Sequence, residues 1–198
     1  MIICDLEKIG ELGIFDGINE IIATTENERG APNAAPLGLI KNGDALSVRL
    51  FAGSHTYENI MTGKKFVANV SHDPILFVET ALKDIHEDRF VERDGELTLK
   101  EAEAWALFRC EPNGLDIALP EVEFLRGEVL KREFRAVNRG INLVVEAAVA
   151  ATRYVALKSD HYLDEIFRIR RIVRRCGGPR EIAAMDRLEE LIEEREGA

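Results

Sequence analysis

Between positions 53 and 69 the chain gathers its densest set of side chains able to grip an anion: Ser54, His55, Thr56 and Asn59, with Asn69 further on. The run Gly-Ser-His-Thr-Tyr-Glu-Asn-Ile-Met-Thr-Gly reads as a tight turn on Gly53 and a short helix begun by Thr56. A return strand, Phe66-Val67-Ala68-Asn69-Val70, follows. Thr56 is an N-cap residue type, and Gly63 stands where a left-handed helix ending is wanted. A helix start carries unpaired N–H groups and a partial positive charge, so it is a natural seat for a phosphate. The Ser54 and Thr56 hydroxyls add donors, and His55 could add another; otherwise His55 is a surface residue. The same spacing also describes an ordinary capped turn between strands, and local chemistry alone leaves both readings open.

Other chemistries find little support. His55, His72, His86 and His161 show no metal-ligand spacing with one another or with cysteine. Ser54 has no identifiable base and no nucleophile-elbow pattern, and no Walker-type or dinucleotide glycine motif occurs. Arg168, Arg170, Arg171, Arg174 and Arg175 resemble a basic patch. The glutamates Glu189, Glu190, Glu193 and Glu194 on the next helix are expected to pair with them across a helical hairpin. Trp105 and Phe108 read as barrel core rather than as a ring-stacking platform.

The elements that must position these residues follow from periodicity. Glu20–Thr25 is a β-rich run, Asn27-Glu28-Arg29-Gly30 a turn, and Ala34–Ile40 the next strand. Asn42-Gly43 is a hairpin signal. Ala45–Phe51 alternates, with Leu46, Val48 and Leu50 on one face and Ser47, Arg49 and Phe51 on the other. A meander of this kind removes its edges by closing into a barrel. Asp73-Pro74 opens a helix, residues 84–103 read as a charged surface insertion, and Trp105–Cys110 and Leu125–Phe134 as the last strands. From Asn138 the period turns helical: one helix to about Leu157, a second capped by Asp160, and a third from Arg180 to about Glu196 after the Gly177-Gly178-Pro179 break. The expected organisation is a barrel over 1–135 and a helical domain over 136–198.

On the first of these helices Arg139, Asn142, Glu146 and Arg153 fall within about 60° of one another on an otherwise apolar cylinder. This stripe is a wet face, an internal ion-pair network, or a contact with a cofactor or a second subunit. We expect Arg139 and Glu146 to interact with each other or with a shared partner, and to matter more for folding or assembly than for hydride transfer.

Composition bounds the class. With 46% apolar and 31% charged residues the chain is globular rather than disordered. No run of about 18 apolar residues points to a membrane span. The start Met-Ile-Ile-Cys-Asp-Leu-Glu shows no basic region ahead of an apolar core. Cys4, Cys110 and Cys176, odd in number and far apart, fit a reducing cytoplasm better than a disulfide framework. Residues 136–198 carry 11 basic and 11 acidic side chains, so the whole net charge of −10 falls on the first 135 residues. Such an acidic body repels nucleic acid.

Ser54-x-Thr56-x-x-Asn59-Ile60 followed by Phe66-Val67-Ala68-Asn69-Val70 resembles the signature of FMN-binding split-barrel proteins, the superfamily of flavin reductases and pyridoxamine phosphate oxidases. Ala31-Pro32-Asn33-Ala34-Ala35-Pro36-Leu37-Gly38 lies where those proteins run a strand beside the flavin ring. Asn138-Arg139-Gly140, Glu146 and Thr152-Arg153 resemble a mainly archaeal, uncharacterised family within that superfamily. The resemblance implies a split β-barrel with α elements, mainly β, followed by a three-helix segment, and FMN as cofactor. It implies that Ser54, Thr56 and the following amides hold the phosphate, with Asn59 supporting the turn and Arg49 supplying charge. Asn33, Ala34 and Ala35 would present backbone to the isoalloxazine, Thr25 would reach it from the neighbouring strand, and Phe51, His55 and Asn69 complete the candidate site. It further implies a homodimer through the barrel with the flavin near the interface. Two functions follow: an oxidoreductase passing electrons from a nicotinamide or deazaflavin donor, or an FMN carrier, sensor or assembly protein without turnover.

Overall fold

A computed structural model describes residues 2–111 and 117–197 of the chain. In order, the strands are β1 (Ile2–Ile3), β2 (Gly17–Glu26), β3 (Pro32–Asn42), β4 (Ala45–Val48), β5 (Leu50–Phe51), β6 (Lys65–Val70), β7 (Phe90–Arg93), β8 (Glu96–Leu99), β9 (Ala104–Cys110), β10 (Ile117–Ala118) and β11 (Val122–Val129). The helices are α1 (His55–Gly63), α2 (Pro74–Leu82), α3 (Arg139–Leu157), α4 (Asp160–Cys176) and α5 (Pro179–Glu196), with a 3-10 turn over Leu6–Leu12.

Seven strands form one antiparallel sheet in the order β1-β11-β9-β6-β2-β3-β4. The sheet curls until its β4 edge meets the approach to β11, where Ser47 bridges Glu121 and Val48 N donates to Pro120 O at 3.2 Å. That closure gives the split barrel. Alternation sends Ile21, Ala23, Leu37, Leu39, Leu46, Val48, Phe66 and Phe108 into one core, where the Phe66 and Phe108 rings stack at 5.2 Å. Burying each large apolar side chain contributes about 1.5–3 kcal/mol. The hairpin at Asn42-Gly43 forms as expected, with Gly43 at φ 58° and Asp16 accepting from Gly43 N and Lys41 Nζ.

The chain divides into two compact units, residues 1–71 with 85–132 and residues 72–84 with 133–198. The boundary expected at 135/136 therefore leaves out one exchange: α2, although it interrupts the barrel sequence, joins the helical unit. Its Val78 and Leu82 bury against a core that also contains Val144, Ala148, Ile166, Val173, Met185 and Leu188. Arg180 pairs with Asp73 at 2.6 Å, and Arg195 Nε donates to Leu82 O at 2.9 Å. Asn138 caps α3 through Gly140 N at 2.8 Å and donates to Glu181 Oε1 at 3.0 Å, while Glu181 Oε2 accepts from Gly178 N at 2.7 Å. One carboxylate thus ties the starts of α3 and α5 together.

Several local expectations need correction. Residues 84–103 are a structured hairpin: Thr98 and Leu99 are fully buried, and Asp94 and Gly95 both take positive φ at its turn. Asp-Gly between strand-like runs is a hairpin signal, outweighed in the sequence by the surrounding charge. The strand Ala45–Phe51 is broken at exposed Arg49, because β5 leaves β4's sheet to pair with β10. The last strand stops at Val129, and Phe134 is exposed beyond it. Ser159, not Asp160, occupies the cap position of α4. Of the five arginines on α4, only Arg170 forms an ion pair across to α5 among the described residues, with Asp186 at 2.8 Å and with Glu189. Glu190 and Glu194 are taken by Arg187 on their own helix. Arg139, Asn142, Glu146 and Arg153 are all exposed, so no buried Arg139–Glu146 network forms among the described residues. α3 nevertheless remains long and apolar enough to span a bilayer by length and composition, and 39% of its apolar 18-residue window is buried.

A Cβ added at Gly140 would meet Gly177 Cα at 2.8 Å and Glu181 Cγ at 3.0 Å. Gly140→Ala is predicted to cost the helical unit about 1–3 kcal/mol through overpacking. Denaturant titration followed by far-UV circular dichroism checks this, and an unchanged midpoint contradicts it.

Candidate functional site

Gly53, at φ 81°, turns the chain from β5 into α1, a left-handed conformation that glycine adopts without strain. Ser54, rather than Thr56, is the N-cap: its Oγ accepts from Tyr57 N at 3.2 Å and donates to Phe51 O at 2.9 Å. The helix begins two residues earlier than its sequence suggests, and Thr56 is freed from capping. The first intrahelical bond runs from Glu58 N to Ser54 O at 3.0 Å, so the His55 and Thr56 amides lie ahead of it at the positive end of the helix. At the other end the left-handed residue is Lys64, at φ 54°, with Gly63 closing the helix before it.

Thr56 faces inward, 6% exposed, and joins a cluster built by three elements. Asn33 Nδ2, from β3, donates to Thr56 Oγ1 at 3.1 Å and to Thr25 Oγ1, on β2, at 3.2 Å. Asn59 Nδ2, one helical turn along α1, donates to the same Thr25 Oγ1 at 2.9 Å. A hydroxyl has two lone pairs and one proton. With both Thr25 lone pairs taken by amides, its proton is left to donate, and the Thr56 proton likewise. The cluster therefore offers hydroxyl donors and two amide carbonyls beside a helix N-terminus, a donor set suited to an anionic, polyhydroxylated ligand.

The structure brings Thr25, Asn33, Thr56 and Asn59 together, with Ser54 and His55 on the adjoining turn. Ala34 and Ala35 lie opposite Thr24 and Ala23 on β2; Ala34 is buried, Ala35 half-buried. Arg49 is exposed at the β4–β5 break, outside the hydrogen-bonded cluster. Phe51 leads into the Gly53 turn, 54% exposed.

Asn69 does something different. Its Nδ2 donates to Ile22 O at 3.0 Å and to Thr24 Oγ1 at 3.1 Å, and its Oδ1 accepts from Leu99 N at 2.8 Å. Thr24 Oγ1 in turn donates to Leu97 O at 2.5 Å. Asn69 and Thr24 thus pin the β7–β8 hairpin across the back of β2 and β6.

That hairpin supplies residues the sequence pattern does not single out. A cavity of about 140 Å³ is lined by Thr25 and Asn59 together with Lys65, Phe66, Glu96 and Leu97. Glu96 is 8% exposed and held between Lys65 Nζ at 2.7 Å and Arg126 Nη2 at 3.0 Å. Arg126 also lies over the Trp105 ring, 5.9 Å from its centroid. The cavity is smaller than the ~300–1,000 Å³ that encloses a drug-sized ligand. Among the described residues no group of histidine, cysteine and carboxylate side chains is placed to hold a metal. The thiol pKa of Cys110, at the end of β9, is pushed up to about 11, chiefly by burial, so the group is neutral at physiological pH.

Fold and site define the class: a split-barrel protein with a cluster of hydroxyls and amides at the start of α1, and a separate helical unit. The chain belongs to the DUF447 family of proteins of unknown function. Residues 19–142 match that family's N-terminal domain and residues 138–190 the part that follows. It is similar to the FMN-bound protein MM1853 from Methanosarcina mazei, with 39% sequence identity and a TM-score of 0.84, over 94% of this chain and 99% of that one. It is also similar to the uncharacterized protein MJ1453 of Methanocaldococcus jannaschii, 29% identical over 180 residues, 81% of this chain and 91% of that protein. The flavin reductase HpaC, solved with NADP+, shares the fold at 16% identity and a TM-score of 0.50, over 65% of this chain and 89% of that one.

Asn69→Ala removes these side-chain bonds and strands the buried Leu99 amide, a loss of about 1–3 kcal/mol per unsatisfied group. The variant is predicted to melt several degrees below the parent; equal melting temperatures contradict the clamp.

Proposed function

We propose that this chain binds FMN at the mouth of its barrel unit and serves as a flavin-dependent oxidoreductase of the flavin reductase type. The observation that carries the reading is the Thr25–Asn33–Thr56–Asn59 cluster at the start of α1. Its donors suit a ribityl phosphate, and a relative of 39% identity over nearly the whole chain was crystallised with FMN. In this reading the His55 and Thr56 amides and the Thr56 hydroxyl bind the phosphate, Asn33 fixes that hydroxyl's orientation, Asn59 ties α1 to Thr25, and β3 at Ala34–Ala35 lets the ring lie close. Ser54 holds the helix start in place rather than spending its hydroxyl on the ligand. When bound, FMN supplies the redox chemistry, taking electrons from a nicotinamide or deazaflavin donor. The small cavity encloses only part of such a cofactor, which supports a homodimer whose second barrel covers the rest. Three free cysteines suit the reducing cytoplasm.

A second reading, an FMN carrier or sensor without turnover, is favoured by one observation. The four clustered side chains are hydroxyls and amides, so the cluster itself holds no acid–base pair. Anaerobic mixing with NADH, NADPH or a reduced deazaflavin separates the two. Bleaching of the flavin absorbance within turnover times is the oxidoreductase result, and an oxidised spectrum with every donor favours the carrier.

The cofactor claim has its own test. A hydrogen bond to a charged group is worth about 1.5–3 kcal/mol, so Thr56→Ala is predicted to weaken FMN roughly ten- to hundredfold. Riboflavin, which lacks the phosphate, should bind parent and variant alike, and Thr56→Ser should recover most of the loss. Equal affinity of the parent for FMN and riboflavin contradicts the phosphate seat.

A further inference from the structure

The hydroxyl and amide cluster leaves hydrogen-bonding capacity unspent beside the cavity between α1 and the β7–β8 hairpin. Asn59 is 8% exposed and lines that cavity. Its Nδ2 is committed to Thr25 Oγ1, while its Oδ1 accepts from no other described residue. Thr25, also in the lining, has both lone pairs taken by amides and keeps its proton to donate. A third lining residue, Lys65, gives one ammonium proton to Glu96 at 2.7 Å, and its side chain has no other partner among the described residues. Glu96 does not depend on Lys65 alone, because Arg126 Nη2 holds its other carboxylate oxygen at 3.0 Å. Phe66, Val67 and Leu97 add apolar lining.

A cavity on the order of 150 Å³ holds a single benzene ring, so this one, at about 140 Å³, admits one six-membered ring. A hydroxyl donor next to an amide acceptor complements a ring lactam, and a second donor extends the match to an imide. Of the fused rings of isoalloxazine, the pyrimidine ring carries such an imide, C2=O, N3–H and C4=O. The dimethylbenzene ring carries no hydrogen-bonding group. We infer that the pyrimidine end of the flavin enters this cavity, where Asn59 Oδ1 accepts from N3–H and the Thr25 hydroxyl and Lys65 ammonium donate to the flanking carbonyl oxygens. This rests on the flavin reading above, but not on where the phosphate lies. It also assigns Lys65 to the site and brings a cation to the ring edge, where charge tunes the flavin's electronics.

Flavin fluorescence quenching on the full-length protein compares FMN with 3-methyl-FMN, in which a methyl group replaces the N3 proton. The parent should bind 3-methyl-FMN roughly tenfold or more weakly, since Asn59 Oδ1 then faces a methyl group and stays unsatisfied. In Asn59→Ala, whose fold circular dichroism checks, both flavins should bind with closely similar affinity. A merely structural role for Asn59 would weaken both and leave their ratio unchanged. Lys65→Met should lower the midpoint potential of the bound flavin, because a positive charge at the ring edge favours the reduced form. Equal affinity of the parent for FMN and 3-methyl-FMN overturns the inference. So does a ratio that survives in Asn59→Ala, or a potential unchanged in Lys65→Met. Riboflavin against 3-methylriboflavin repeats the comparison without a phosphate, so failure of the phosphate seat and failure of the cavity assignment are separately visible. A chain that binds no flavin ends both.

Discussion

The site depends on one hydroxyl accepting two amides. Thr25 Oγ1 takes Asn33 from the neighbouring strand and Asn59 from α1, so the position of the helix relative to the sheet is set where β2, β3 and α1 converge. A buried hydroxyl satisfied in this way contributes modest net stability, but its directionality is strict. Slipping α1 by one residue would turn Asn59 away and leave Thr25, 5% exposed, short of a partner. The cluster thereby aims the helix start, and with it the Thr56 hydroxyl and the leading amides, at one place on the barrel rim.

Much of this arrangement was legible in the residue types. Ser54, Thr56 and Asn59 announce a helix start, Asn42-Gly43 a hairpin, and the alternation from Leu46 to Leu50 a half-buried strand. What periodicity could not supply was which polar side chains would meet. Thr25 and Asn33 lie on different strands, and only the β2–β3 register places them opposite each other. The cap moved from Thr56 to Ser54 because both residue types can cap. The choice was made by tertiary context, where Asn33 offers Thr56 a partner inside the barrel. Asn69 matched a binding motif in sequence, yet its amide is consumed by clamping the β7–β8 hairpin.

The hairpin and α2 were harder to read for related reasons. Residues 84–103 carry enough charge to look solvated, but several of those charges are paired: Glu96 binds Lys65 and Arg126 from the barrel strands, and Arg89 binds Glu101. Composition counts charges without showing which are paired. α2 falls between barrel strands in sequence, yet its Val78 and Leu82 pack into the core of the helical unit. Charge on the C-terminal helices behaved in the opposite way: side chains that looked like a paired hairpin face are mostly solvated, because Arg187 claims two of the glutamates.

A crystal structure of the protein with FMN tests the central claim most directly, because it shows where the phosphate sits. The account predicts phosphate oxygens within hydrogen-bond distance of Thr56 Oγ1 and of the His55 and Thr56 amides, with the Thr25–Asn33–Asn59 contacts unchanged. A phosphate bound elsewhere, with Thr56 still bonded only to Asn33, would contradict it.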